Sequence, residues 1–290
     1  MNCALCKEFP TREESHIIPS FVIRWLKKTS ATGYLRGTEE PNKRIQDGRK
    51  YPLLCEKCED LFSESETKFA AKVFHPFVAD IPKRFQYDEV FLRFAVSLVW
   101  RALHHVGFGE GSEKEPLQPE LMGRLEEPYK VWSDFLLGVR PHPGEFVVNV
   151  LPMDFVLNKH PADPLPRGIN RYFARAIDMD LICTETSGHV FVKIPHFCFF
   201  GRIFLKQHDP FSKNTLLRKS KGILGGNILH VDGSIMKYLH SRCEHASQVV
   251  ASLSERQNEI IRNALKKDPE RMVRSHSMQA WKYDKQLFDE

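Results

Sequence analysis

The sequence predicts an α+β protein with a small N-terminal module and a larger body, and three observations carry this prediction. The chain has 290 residues, which exceeds the size of a typical single domain. Two Cys-x-x-Cys pairs fall within residues 1–76, a stretch that is otherwise polar and poor in apolar runs. Beyond it, helical periodicity in residues 77–143 gives way to strand-like alternation in 144–232 and returns in 233–290. We therefore expect a module of residues 1–76 followed by a mixed body of residues 77–290.

The composition is typical of a globular chain with a full core. Hydrophobic residues make up 42% and charged residues 27%. No apolar run approaches the roughly 18 residues of a membrane helix, and Cys3, Lys7 and Glu8 come too early for a signal peptide. A cytoplasmic protein without membrane contact is therefore expected. The net charge of +5 is compatible with nucleic-acid binding but is not diagnostic of it.

Four of the seven cysteines form the two pairs, Cys3 with Cys6 and Cys55 with Cys58. Each pair presents two thiolates from one turn, and zinc takes four such ligands in tetrahedral geometry. A redox pair and accidental spacing are the alternatives, but a redox pair usually opens a helix in a thioredoxin-like unit, which is not the context of Cys3. A disulfide framework does not suit a chain without an export signal. We predict a structural zinc ion that staples a module too small to fold on apolar burial alone.

Local patterns predict the order strand, helix, loop and helix within the module. Residues 16–18 are β-branched and short, and they indicate a strand that ends at Pro19. Residues 21–28 have the periodicity of an amphipathic helix. Residues 29–50 are polar, basic and rich in glycine, which favours a loop or hairpin. Apolar spacing from 59 to 74 predicts a helix that starts on the second cysteine pair.

The body is predicted to be helical at both ends and β-rich in the middle. Residues 88–106 and 120–137 have helical patterns, the first of them strongly apolar and therefore buried. Ser187 and Gly188 are predicted to form a tight hairpin turn. A helix over 248–267 follows, and the charged segment after it is expected to be peripheral. Four segments are predicted to be strands: 146–151, 172–183, 190–195 and 198–205.

The N-terminal parts resemble the HNH endonucleases, in the zinc-bearing treble-clef members that have a ββα-metal core. The resemblance is carried by the first cysteine pair, by Glu-Ser-His-Ile-Ile-Pro at residues 14–19, and by Leu-Leu-Cys-x-x-Cys at 53–58 ahead of a helix. It covers about residues 1–70, a quarter of the chain. It implies a metal-dependent enzyme that hydrolyses phosphodiester bonds in nucleic acid, with double-stranded DNA as the expected partner. It also suggests a place in bacterial or phage DNA processing or in defence against phage.

The same resemblance implies roles for individual residues. His16 takes the position of the general base that deprotonates the attacking water, while Mg²⁺ or Mn²⁺ stabilises charge on the phosphate. Glu59 falls where the family commonly has an asparagine or histidine metal ligand, and a carboxylate suits such a hard cation. Two positions differ, because Ser15 stands where aspartate is common and the family's middle asparagine falls near Lys50. Further candidates are Glu14, Asn42 and Asp47 for the catalytic-metal shell, and Arg44, Arg49 and Lys50 for phosphate contacts.

Two other functions stay open at this stage. A zinc module without a catalytic cation would bind nucleic acid or protein and cleave neither, with the regulatory function in the C-terminal body. Alternatively, the β-rich body carries the function and the zinc module is an accessory. If the chain is a nuclease, the body is expected to supply substrate choice, regulation, or contacts with a partner protein or a second copy.

Overall fold

The computed structural model describes residues 1–12, 14–80, 84–108, 118–158, 164–217, 221–225 and 231–288. Helices account for 49% and strands for 19%, which confirms the mixed α+β class. The helices are α1 Ser20–Lys28, α2 Glu56–Phe69, α3 His75–Ala79, α4 Glu89–Leu103, α5 Pro119–Leu136, α6 Ile169–Arg175, α7 Gly233–Ala251, α8 Glu255–Lys267, α9 Pro269–Arg274 and α10 His276–Phe288. The strands are β1 Ser15–His16, β2 Leu35–Arg36, β3 Arg44–Ile45, β4 Lys50–Tyr51, β5 Arg84–Asp88, β6 Val148–Pro152, β7 Asp178–Cys183, β8 Ser187–Ile194, β9 Phe197–Leu205 and β10 Lys221–Gly225.

In the N-terminal region, a two-stranded sheet leads into a helix beside the cysteines. β1 pairs antiparallel with β4, so that His16 lies opposite Lys50. The chain between them forms α1 and the short β2–β3 hairpin, and β4 leads into α2. The predicted strand over 16–18 is shorter than expected, because Ile17 and Ile18 turn into the core ahead of α1.

The predicted helix after the second cysteine pair is longer than its pattern indicates. α2 continues through a π-helical turn at Ala70–Phe74 into α3. Pro76 lies just beyond that turn, and the wider π-helical spacing suits a residue that has no N–H for a regular helix. The boundary predicted at residue 76 therefore falls inside a continuous helical run.

α4 is the centre of the hydrophobic core. It packs against α2, α5 and the main sheet, and every residue from Phe94 to Leu103 is buried. The Phe94 ring stacks on Phe69 of α2 with 3.8 Å between centroids. One buried cluster thus runs from Cys3 to Leu224. The division into residues 1–76 and 77–290 stays a prediction.

The main sheet is antiparallel, with strand order β6-β9-β8-β7, and it corrects two predictions. Part of the predicted strand over 172–183 is helical, because α6 runs to Arg175 with Asp284 accepting from the Asn170 and Arg171 amides at its start. The predicted turn at Ser187 and Gly188 is instead the start of β8, since the turn closes earlier on the Thr184 hydroxyl, which accepts from the Ser187 amide at 3.0 Å.

The C-terminal helices also differ from their sequence pattern. The predicted helix over 248–267 is broken between α7 and α8, where the Ser254 hydroxyl caps α8. The last segment is not peripheral, because α10 buries Ala280, Asp284 and Leu287. Within the described ranges, none of the helices combines the length and apolar character that a membrane crossing requires.

Candidate functional site

The first element of the site is a cluster of the four paired cysteines. Their sulfur atoms all lie within 4.8 Å of one another, and the Sγ atoms of Cys6 and Cys55 are 3.7 Å apart. In tetrahedral zinc, a Zn–S bond of about 2.3 Å separates two sulfurs by about 3.8 Å. The donors therefore fit a four-thiolate metal ion. Across the described part of the chain, this is the one group of three or more histidine, cysteine or acidic side chains positioned to hold a metal.

Local backbone geometry explains how the two pairs meet. After the first pair, Lys7 adopts a left-handed backbone with φ of 63°, and its amide donates to the Cys3 carbonyl at 3.0 Å. The Ala4 amide donates to the Leu53 carbonyl at 2.8 Å, which attaches this turn to the approach to α2. Cys55 is the N-cap residue of α2, so Cys58 lies on the first helical turn. The sequence spacing thus presents two sulfurs from a turn and two from a helix start.

The thiols hold their protons unequally. Burial alone would raise the pKa of Cys6, but backbone hydrogen bonds at Glu8 and Phe9 and the neighbouring thiols bring it to about 7. Burial, followed by the thiol of Cys55, raises the pKa of Cys58 far above its usual range. Zinc must therefore displace at least one proton as it binds, and its affinity falls as the pH drops.

The second element is a chain of four charged or ionisable side chains that begins at His16. His16 Nε2 lies 3.1 Å from Asp47 Oδ1, and Lys50 Nζ lies 2.9 Å from Asp47 Oδ2. Lys50 also reaches Glu14 Oε2 at 2.8 Å. The imidazole is 23% exposed and the Asp47 carboxylate 46%, so a substrate can reach both. The structure therefore brings together four of the residues that sequence reasoning selected.

The state of Asp47 determines which imidazole nitrogen can act as a base. Burial alone would raise the pKa of Asp47, but hydrogen bonds from Lys50, His16 and the Gly48 amide outweigh it and hold this pKa well below its usual range. An ionised carboxylate only accepts hydrogen bonds, so the Nε2 atom of His16 must be the donor. In the neutral ring Nδ1 is then unprotonated and can accept a proton from water.

Ser15, the residue before His16, has a structural role. Ser15 is fully buried, and its hydroxyl accepts a hydrogen bond from the Leu54 amide at 3.0 Å. This bond joins β1 to the segment that leads into the second cysteine pair. Ser15 therefore positions His16 relative to the cysteine cluster and offers no exposed ligand atom.

Two predicted metal ligands are not joined to the His16 chain. Asn42 Oδ1 accepts from the Ser254 amide at 2.9 Å, which ties its loop to the start of α8. Glu59 lies on the first turns of α2, and its Oε1 atom is buried without a hydrogen-bond partner in the described structure. Glu14 and Asp47 are both bound to Lys50. The described carboxylates therefore do not assemble the predicted shell for Mg²⁺ or Mn²⁺.

The predicted phosphate contacts are also engaged within the chain. Arg49 forms an ion pair with Glu39, and although burial would lower its pKa, hydrogen bonds with Glu39 and Tyr51 raise it. The guanidinium of Arg44 lies 4.3 Å from the Tyr34 ring centroid. To bind a phosphate, Arg44 and Arg49 would have to give up these contacts.

Sequence reasoning missed Arg101, which joins the body to the histidine. Arg101 is 2% exposed on α4, and its Nη1 atom donates to the His16 carbonyl at 3.2 Å. Its Nη2 atom lies 2.8 Å from Glu66 Oε1 on α2. An arginine directly after the most apolar stretch of α4 is the available signal, since a buried charge requires a partner.

Comparisons with protein-family models, with curated proteins and with solved structures each return no match for this chain.

Proposed function

We propose that the chain is an HNH-like endonuclease that hydrolyses phosphodiester bonds in nucleic acid, with double-stranded DNA as substrate and His16 as general base. In this proposal the cysteine cluster holds zinc at the centre of a treble clef, and β1, β4 and α2 form the ββα unit. The observation that carries the proposal is the pairing of His16 with an ionised Asp47 beside that cluster. A metal-stapled scaffold with an oriented, accessible imidazole suits the generation of a nucleophile at neutral pH.

The proposed step is a single proton transfer with attack on phosphorus. Nδ1 of His16 takes a proton from water as the water oxygen bonds to the phosphorus, and the bond to the leaving oxygen breaks. The leaving oxygen is protonated by solvent water, and the proton on His16 returns to solvent. Asp47 holds the ring through Nε2 and stabilises the imidazolium that forms, as the carboxylate does in a serine-protease triad. General base catalysis of this kind contributes about 10²–10⁴-fold to the rate.

Dependence on Mg²⁺ or Mn²⁺ is part of the resemblance and stays a prediction. The proposal routes no step through such an ion, because Glu14 and Asp47 bind Lys50 and Asn42 binds Ser254. A cation bound together with the substrate phosphate would supply charge stabilisation.

The test is cleavage of supercoiled plasmid by the purified protein with Mg²⁺, with Mn²⁺ or with no added divalent ion. The His16→Ala variant is expected to lose cleavage by about 10²–10⁴-fold. His208→Ala is the matched control, because its ring is 82% exposed beside Asp232 and is expected to leave the rate unchanged. Cleavage that is absent in every metal, or equal in His16→Ala, contradicts the proposal.

The second candidate is a zinc module that binds nucleic acid or protein without cleaving it. One observation favours it: Lys50, near the position where the family has asparagine, bonds to both Glu14 and Asp47 and offsets part of the negative charge that would attract a cation. Binding of a labelled duplex, measured by fluorescence anisotropy over a salt series, distinguishes the candidates. Salt-dependent binding with no cleavage in any metal supports the second.

A further inference from the structure

A cavity of about 540 Å³ opens between α1, α3 and the start of α10. None of the cysteines, and none of the residues in the His16 chain, lines it. Phe21, Trp25 and Val78 form its apolar wall. A cavity of this volume lies within the range that small ligands occupy.

The ionisable side chains that line this cavity are all basic or imidazole groups. They are Arg24 and Lys28 on α1, His75 on α3 and His276 on α10, and none of the nine lining residues is acidic. The Nη1 atom of Arg24 donates to the Ser20 hydroxyl at 2.8 Å. Among the described residues neither Arg24 nor Lys28 is ion-paired with a carboxylate, so their charges are available to a ligand.

Some exposed basic groups elsewhere in the protein are paired with carboxylates. On α4, Arg93 pairs with Glu89, and on α5, Arg124 pairs with Glu120, each across one helical turn. Such pairs cancel most of the local charge. Arg24 and Lys28 have no such partner among the described residues. Exposed lysines such as Lys266 and Lys267 have none either, so it is the cavity and its apolar wall that set Arg24 and Lys28 apart.

A further cation lies directly behind the wall. The Arg175 guanidinium is 5.1 Å from the ring centroid of Trp25, and it donates to the Thr29 hydroxyl at 2.6 Å and to the Leu26 carbonyl at 2.7 Å. These acceptors are neutral, and burial lowers the pKa of Arg175 to about 10. Its charge therefore adds to that of Arg24 and Lys28, and an anion in the cavity would offset it.

From the volume, the apolar wall and the uncompensated charge, we infer that this cavity binds a mononucleotide. Arg24 and Lys28 are one helical turn apart on α1 and hold the phosphate between them. The base and sugar lie along the wall that includes Val78. The volume of about 540 Å³ suits a single nucleotide, whereas a long strand would follow an extended basic groove.

The test is isothermal titration calorimetry with AMP, GMP, CMP and UMP, with adenosine and inorganic phosphate as partial ligands, and without added divalent ions. At least one mononucleotide is expected to bind roughly tenfold or more tightly than either partial ligand, because both parts of the cavity contribute. Phosphate that binds as tightly as every nucleotide overturns the inference, since the apolar wall would then contribute nothing.

Two variants test the location. Arg24→Gln with Lys28→Gln is expected to weaken binding roughly tenfold or more, whereas Lys266→Gln with Lys267→Gln, which removes the same charge from the end of α8, is expected to leave it unchanged. Ala79→Phe fills the cavity, keeps every charge, and is expected to abolish binding. Nucleotide binding that survives in Ala79→Phe, with an unchanged unfolding midpoint, overturns the inference. Binding only of a single-stranded oligonucleotide, lost with Arg24 and Lys28, also overturns it and indicates a strand-binding groove.

Discussion

The cysteine cluster and the His16 chain lie within the same short stretch of sequence, yet they satisfy their polar atoms in opposite ways. Three of the four cysteines are buried, and all four sulfurs converge on one point. In the His16 chain, Asp47 is 46% exposed, and the single positive charge of Lys50 lies between the two negative charges of Glu14 and Asp47. A cluster of four sulfur donors needs a metal to be stable. The His16 chain pairs opposite charges, so it is stable without a ligand and can exchange its partners for one. The difference separates a closed set of metal donors from a set of side chains that solvent and ligands can reach.

The largest expected effect is that of disrupting the cysteine cluster. Cys55→Ser removes one of four thiolates and is expected to release zinc and unfold the N-terminal region, because structural zinc contributes about 10–16 kcal/mol of apparent binding energy in small zinc peptides. Zinc content by mass spectrometry and the thermal unfolding midpoint measure both effects. Cys183→Ser is the control, since Cys183 is exposed and outside the cluster. A Cys55→Ser protein that stays folded and keeps a full complement of zinc would contradict the metal assignment.

The next effect tests how the His16 chain is attached to the body of the protein. Arg101→Met leaves Glu66 without its partner and frees the His16 carbonyl, and it is expected to destabilise the fold by about 3–5 kcal/mol. Chemical denaturation measures the change. Arg93→Met on the same helix breaks only a surface pair and is expected to cost less than about 1 kcal/mol. Equal losses in the two variants would show that the body does not anchor His16 through Arg101.

A smaller effect, on the cleavage rate, is expected at Asp47 in the middle of the His16 chain. If the proposed activity is correct, Asp47→Asn is expected to lower the cleavage rate about a hundredfold, or about 2.7 kcal/mol, because a neutral amide neither enforces the productive tautomer nor stabilises the imidazolium. Glu40→Gln, a surface residue of the same loop, is expected to change nothing. An unchanged rate in Asp47→Asn would remove the carboxylate from the mechanism.

The same variant gives a prediction for pH. The pKa of Asp47 is lowered in the folded protein from its ordinary value of 3.8, so its contribution to stability is complete above 3.8 and is lost as the pH falls below it. In a His16→Ala background, so that the imidazole paired with Asp47 does not contribute, the stability difference between Asp47 and Asp47→Asn is therefore expected to be constant from about pH 5.5 to 8. Denaturation at several pH values measures it, and a difference that titrates within this range would show that Asp47 is not ionised as described.

The smallest effect concerns the link between the two regions. Ser15→Ala leaves the Leu54 amide without its acceptor in a buried position and is expected to cost about 1–2 kcal/mol. Ser63→Ala on the exposed face of α2 is expected to stay within about 0.5 kcal/mol of wild type. Denaturation curves of the pair compare them directly. No difference between them would mean that Ser15 does not couple the strand to the cysteine cluster.

The features that could be predicted from sequence depend on short spacings. The cysteine cluster follows from two pairs that are each closed by one turn, and α4 follows from a long apolar period. His16 and Asp47 were both selected as candidates, but their pairing was not predicted, because it depends on how the loop between β1 and β4 folds back.

The features that were missed depend on contacts between distant parts of the chain. The start of α6 is capped by Asp284, 114 positions away from Asn170, so a strand-like pattern became a helix. Asn42 was assigned to a metal shell, whereas it accepts from an amide 212 positions further along. Local propensity carries no information about such partners, and tertiary context overrides it.

The stack of Phe69 on Phe94 limits how this protein can be divided and varied. A segment cut at residue 76 would end within the helical run and would expose the rings of Phe69 and Phe74 that α4 and its neighbours now cover. At about 25 cal/mol per Å² of apolar surface, two such rings represent several kcal/mol of lost burial. The region around the cysteine cluster is consequently not a unit that can be moved into another chain. A change of side-chain volume on α4 will be transmitted to the helix that begins at Cys55, so the two halves must vary together.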